Sequence, residues 1–199
     1  MQAQKSNIRR PLLIGVITVC SLGLNLTLSA LNTALALPLF LDAIGTSIAA
    51  VTVGLAPALV VAVGTNVMFE IMYPEQMMYL PFAICGIATV VILRAFVKRG
   101  AFSSVGHALL ASIAVAIANA VLGGIVAAFV YGGVTGVGID FLVTGLVASG
   151  QSLLSASFWA RVPANIIDKT IAVFAAYVLA PVLRGLESRV PGDYASDSQ

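Results

Sequence analysis

The chain has 199 residues, of which 60% are hydrophobic and only 18 are charged (10 Lys or Arg and 8 Asp or Glu), and its mean hydropathy is +1.05. A soluble domain carries roughly 25% charged residues to cover its surface, so lipid is the solvent for most of this chain. A net charge of +2 with no basic stripe excludes nucleic-acid binding, and the absence of roughly ten-residue apolar–polar alternation excludes a β-barrel.

The first apolar run follows Lys5, Arg9 and Arg10 and ends at Ala34-Leu35-Ala36, which superficially resembles a cleaved secretory signal. At about 26 residues it far exceeds the roughly 7–15 of a signal core, so it predicts a first spanning helix over 11–36. The next stretch, 42–73, is either one long span or two short ones parted at Gly54-Leu55-Ala56-Pro57. Charge decides between them. With one span, and with 141–160 also crossing, the basic residues divide evenly between the two sides. With a reversal at Gly54–Pro57 and an outer loop over 131–163, Lys5, Arg9, Arg10, Arg94, Lys98, Arg99, Arg184 and Arg189 share one side, leaving only Arg161 and Lys169 opposite. The excess of Lys and Arg on cytoplasmic loops selects the second arrangement. Glycine then proline is also the expected helix stop and helix start.

The expected fold is therefore an all-α integral membrane protein with six transmembrane helices, over 11–36, 42–54, 57–72, 79–98, 104–131 and 164–185. Both termini are cytoplasmic in this arrangement. Residues 1–10 form a basic N-terminus, 11–186 a single six-helix membrane domain and 187–199 a polar tail. Helices two and three are short for a bilayer and require shielding by neighbours or a depression in the bundle.

Enzymatic signatures are missing. There is one histidine, His107, expected to make an interfacial hydrogen bond, and there is no HExxH, GxSxG or GxxxxGK[ST] motif. No catalytic residue, metal or cofactor is expected, and energy for any transport must come from a partner. Cys20 and Cys85 lie in apolar runs and read as packing thiols.

Polar groups within membrane-length segments are more selective, because burying them costs free energy unless they have partners or face water. Asn66, Glu70 and Tyr73 recur at i, i+4 and i+7 on one helix face. Asn165, Asp168 and Lys169 open the predicted last helix, Asp42 heads the second, and Trp159, Tyr79 and Tyr131 lie close by in sequence. These residues read equally as the wall of a binding site or as an interfacial belt of aromatics and charges. Asn119, in the middle of the fifth helix, needs a partner inside the bundle, which is either another helix or a ligand at a cavity floor. Ala30 and Ala34 lie one turn apart and form a small-residue face that suits close helix approach, within the protein or to a partner.

Three stretches resemble the substrate-capturing S components of energy-coupling factor (ECF) transporters, particularly the riboflavin type. They are the Ala30-xxx-Ala34 face, the run from Leu37-Pro38-Leu39-Phe40-Leu41-Asp42 through Gly54-Leu55-Ala56-Pro57 to Gly64-Thr65-Asn66, and Pro163-Ala164-Asn165-Ile166-Ile167-Asp168-Lys169. The resemblance implies a multi-pass protein of a prokaryotic plasma membrane that binds a vitamin-like small molecule from outside. It also implies docking, through Ala30 and Ala34, on an ECF transmembrane coupling protein with two ABC ATPases. The implied substrate-binding residues are Asp42, Asn66, Glu70, Tyr73, Asn119, Trp159, Asn165 and Asp168. In the riboflavin type a lysine stands five residues after the proline. Here that position is Asp168, with Lys169 turned ~100° further round a helix, which speaks for a different ligand. An outer face bearing Asp42, Glu70, Glu75, Asp140 and Asp168 against Arg161 and Lys169 fits a neutral or cationic ligand better than an anionic one. The alternative is a ligand-sensing membrane module of the same fold that signals to a partner instead of importing.

Overall fold

The computed structural model describes residues 2–74, 78–100, 102–135 and 138–188. Of the sequence expectations, Glu75, Arg189 and the tail beyond it fall outside the described residues, as do the side chains of Lys5 and Arg9. The described chain is helical, in the order α1 (Gln2–Ala34), α2 (Ile44–Thr52), α3 (Leu55–Met72), α4 (Ala83–Lys98), α5 (Val105–Val130), α6 (Asp140–Ala148) and α7 (Leu153–Ser188), with one 3₁₀ turn at Leu80–Phe82 ahead of α4. There is no strand among the described residues.

Among the described residues, five helical stretches are long and apolar enough to cross a membrane: Arg10–Ala34, Leu55–Met72, Leu80–Lys98, Val105–Val130 and Leu153–Gly185. Their outward side chains are large and apolar, among them Val19, Val60, Ile71, Leu110, Phe129 and Val182. A water-exposed surface would not carry that composition, whereas acyl chains solvate it.

The reversal between α2 and α3 falls within two residues of its expected place. Gly54 has φ +109°, a conformation that glycine reaches without a Cβ clash, and it ends one helix and starts the next. The sequence makes α2 a crossing helix, but its nine residues rise only ~14 Å, far short of a ~30 Å hydrocarbon core. It lies inside the bundle, with Gly45 to Val51 all buried.

Hydrogen bonds fix its depth. The Gly45 N–H, an orphan donor of the first turn, is accepted by Asn25 Oδ1 at 2.7 Å, nine residues short of the end of α1. The Asn25 amide then donates to Thr46 Oγ1 at 2.9 Å and Thr65 Oγ1 at 3.0 Å, tying α1, α2 and α3 together. At the other end of α2, Arg94 Nη1 donates to the Ala50 carbonyl at 3.0 Å and Arg184 Nη2 to the Val51 carbonyl at 2.9 Å. Cations thus meet the negative end of the α2 dipole, and α2 runs from the middle of α1 to the end of the bundle where α4 and α7 finish.

The other correction concerns the last helix. Expected to begin at Ala164, just after Pro163, it begins at Leu153 and carries Pro163 inside it. Residues 139–162 are accordingly neither a plain loop nor a long span. They comprise the nine-residue α6, which packs on α7, a turn through Gly150 (φ +95°) and the first turns of α7 itself. Arg161, expected in that loop, is a buried residue of α7.

Candidate ligand-binding site

A cavity of about 840 Å³, its open mouth included, lies in the half of the bundle away from Arg94 and Arg184. Lys169, on its wall, stands fifteen residues before Arg184 on α7, or ~22 Å along the helix. The connection from α1 to α2 descends into the bundle and brings Leu39, Phe40 and Asp42 to the cavity. Asn32 bonds the Leu39 carbonyl through Nδ2 at 2.7 Å, and Leu41, held at φ +52°, donates its N–H to Asp168 Oδ1 at 2.7 Å. A leucine in the left-handed region is strained by about 1–2 kcal/mol, so this loop conformation needs the carboxylate that anchors it.

Four asparagines, Asn32, Asn66, Asn119 and Asn165, line the cavity with the aromatic rings of Phe40, Phe69, Tyr79 and Phe82 and the cations Arg161 and Lys169. Lys169 Nζ is 3.0 Å from Asp42 Oδ1 and 2.5 Å from Asp168 Oδ2, and it sits 5.6 Å from the centroid of the Phe40 ring. Lys169 and Asp168 are almost wholly buried, so their mutual compensation is what permits either charge at this depth. Asn119 donates to Thr89 Oγ1 on α4 at 3.0 Å and to the Val115 carbonyl at 3.0 Å, and it faces the cavity.

Of the residues singled out in the sequence, Asp42, Asn66, Asn119 and Asn165 meet at the cavity, whereas Glu70, Tyr73, Trp159 and Asp168 do not line it. Glu70 Oε2 accepts the backbone N–H groups of Tyr79 at 2.8 Å and Leu80 at 3.0 Å, capping the turn that leads into α4. Tyr73 stacks beside Phe69 and Tyr79 and is 38% exposed. Trp159 is 57% exposed with its edge to Phe158, as an interfacial aromatic would be. Asp168 acts behind the wall, on Leu41 and Lys169. Burial, with Tyr73 and the Glu70 carboxylate adding to it, pushes the Tyr79 phenol above its usual range, so it stays protonated as a hydrogen-bond donor.

Sequence reasoning placed Arg161 outside the site, and it passed over Asn32 and Asn25. His107 stands at the start of α5, where the Ser104 hydroxyl accepts its N–H at 3.3 Å and lies 2.9 Å from its Nδ1. No cluster of metal-ligating side chains occurs among the described residues. Ala34 is exposed and Ala30 half-buried on a face of α1 where Gly15 and Gly23 have no neighbour within 4 Å of an added Cβ. Comparison of the chain with protein-family profiles, with curated proteins and with solved structures gives no match.

Proposed function

We propose that the protein is the membrane-embedded ligand-binding subunit of an importer of the ECF S-component kind, capturing a vitamin-like small molecule and docking on a separate energising complex. The observation that carries this reading is the cavity itself. It is walled by asparagines and two buried cations within helices whose outer faces are apolar, and although several of these groups have protein partners, polar groups gathered round a cavity at such depth suit a ligand or an aqueous path. The chain has no phosphate-binding loop, so the energy is supplied by a partner.

In this reading both termini are cytoplasmic, because Arg94, Lys98, Arg99 and Arg184 gather where α4 and α7 end, and the cavity opens to the outside. The chain then completes six membrane segments, with α2 and the descending loop before it together replacing one full-length helix. The open small-residue face of α1 that ends in Ala30 and Ala34 is the docking surface. Ala30→Phe and Ala34→Phe are expected to abolish uptake in cells carrying the partner complex while the purified variants retain the same co-purifying small molecule as wild type. Loss of retention along with uptake would make that face internal packing, and retention of no small molecule by wild type would overturn the reading.

A further inference from the structure

We propose that Arg161 reads the ligand, donating through Nε–H to a carbonyl or carboxylate oxygen held in a corner that Gly123 leaves open; this rests on the cavity being a ligand site. Arg161 is 1% exposed and lines the cavity. Its Nη1 donates to the Ser157 carbonyl at 3.1 Å and its Nη2 to Thr135 Oγ1 at 3.3 Å, while Nε is buried with no partner. Thr135 is fixed in turn by Asp140, which accepts its N–H at 2.8 Å and its hydroxyl at 3.1 Å, so the guanidinium is held at two points with its third edge unused.

A guanidinium has donors only and keeps its charge, so the missing partner is an acceptor. The wall beside that edge lacks a side chain. A Cβ added at Gly123 would lie 3.6 Å from Arg161 Cδ, 3.7 Å from Cys85 Sγ and 3.9 Å from Arg161 Nε, ordinary contact distances, so the bare glycine is where the wall can yield to an acceptor approaching the idle N–H. Asn32, which also lines the cavity, has its Oδ1 buried and unpartnered, and it asks the same molecule for a donor. The ligand class that answers both is a compact molecule bearing an oxygen acceptor and an N–H or O–H donor.

Purified wild-type protein, Gly123→Ala and Arg161→Lys are incubated with a cell extract freed of macromolecules, washed, and the retained compound is identified by mass spectrometry and titrated back. The expected wild-type result is a compound with both groups. Gly123→Ala is expected to bind it about tenfold or more weakly, because the methyl occupies the oxygen's place. Its ligand-free melting temperature should be unchanged or higher, since alanine is the better helix residue. A purely structural arginine would not produce that split. Arg161→Lys keeps the charge but loses the fork, and should weaken binding about tenfold to a hundredfold. A retained compound lacking an oxygen acceptor, or unchanged affinity in both variants, overturns the role of Arg161 while leaving the cavity a ligand site. Retention of nothing by wild type overturns both.

Discussion

The two halves of the bundle solve the same problem, packing helices in lipid, by opposite means. Around α2 most of the buried side chains are small and apolar, among them Ala49, Ala50, Val51, Ala58, Val61, Ala62, Ala108, Ala111, Val115 and Ala176, with the buried Asn25 bonded to the buried Thr46 and Thr65 at its N-terminal end. Apolar burial gives no drive between helices in a bilayer, so close backbone approach and dispersion do the work there. Around the cavity the buried residues are Asn32, Asn119, Ser157, Arg161, Asn165, Asp168 and Lys169, held by directed bonds and by charge. Each half leaves buried polar edges without a protein partner, Ser47 Oγ and Arg94 Nε in the first and Asn32 Oδ1 and Arg161 Nε in the second, but only the residues of the second line the cavity.

The largest expected effect tests the charged half. Lys169→Met leaves Asp168, 1% exposed, without its cation, and breaking one partner of a buried pair costs about 3–5 kcal/mol. The Leu41 N–H would then be held by a buried carboxylate without its cation, and the loop carrying Phe40 and Asp42 would loosen. Melting of the purified variant in detergent measures the loss, and Lys169→Met combined with Asp168→Asn is expected to recover a substantial part of it. A single variant as stable as wild type would mean that charge does not hold this half together.

How much of this was legible in the sequence follows the same division. The Gly54 reversal was readable because glycine, proline and the basic residues all pointed to one place, and the chain there does one local thing. Of the eight expected contact residues, Asn66, Asn119 and Asn165 reach the cavity because mid-helix amides are costly in lipid wherever the chain runs, and Asp42 reaches it on the loop before α2. The start of α7 was misplaced because Pro163 reads as a first-turn proline, although a membrane helix tolerates one in its interior where neighbours satisfy the freed backbone. A better signal was present: Ser157, Arg161, Asn165 and Lys169 recur every four residues across the proline, and all four are buried on one stripe. Glu70 shared a face with Asn66 by spacing alone, but its partners are backbone N–H groups nine and ten residues on, which no periodicity announces. Asn25 was missed for the same reason, since its value lies in three contacts to α2 and α3 that only the fold assembles.

The packed half is tested by Gly45→Ala. A Cβ there would fall 1.9 Å from the Ser21 carbonyl oxygen and 2.7 Å from its carbon, so α1 and α2 must separate. The expected loss is about 3 kcal/mol, the upper end for overpacking, because both clashing atoms are backbone and cannot rotate away. Gly64→Ala is the matched control: its Cβ would meet the Leu22 side chain, Cδ1 at 3.6 Å and Cδ2 at 3.8 Å, both ordinary contacts, and its melting temperature should stay near wild type. Equal effects at the two glycines would remove the claim that close backbone approach, rather than helix propensity, orders this half.

The smallest effect sharpens the boundary between the halves and the solvent. Arg184 Nη2 bonds the Val51 carbonyl, one of the last-turn acceptors that α2 cannot satisfy within itself, and Arg94 bonds its neighbour on Ala50. Arg184 is exposed, so water can replace it in Arg184→Ala, and the cost should be only about 1 kcal/mol from the lost bond and the lost cation at the helix end. Arg94 lies half-buried on α4, where water replaces it less well, so Arg94→Ala should cost more than Arg184→Ala in the same melting assay. The order of the two decides whether the end of α2 is open to solvent on the α7 side. A larger loss at Arg184 would mean that this end of the bundle is closed over by lipid or by a partner, which would move the edge of the membrane relative to α2.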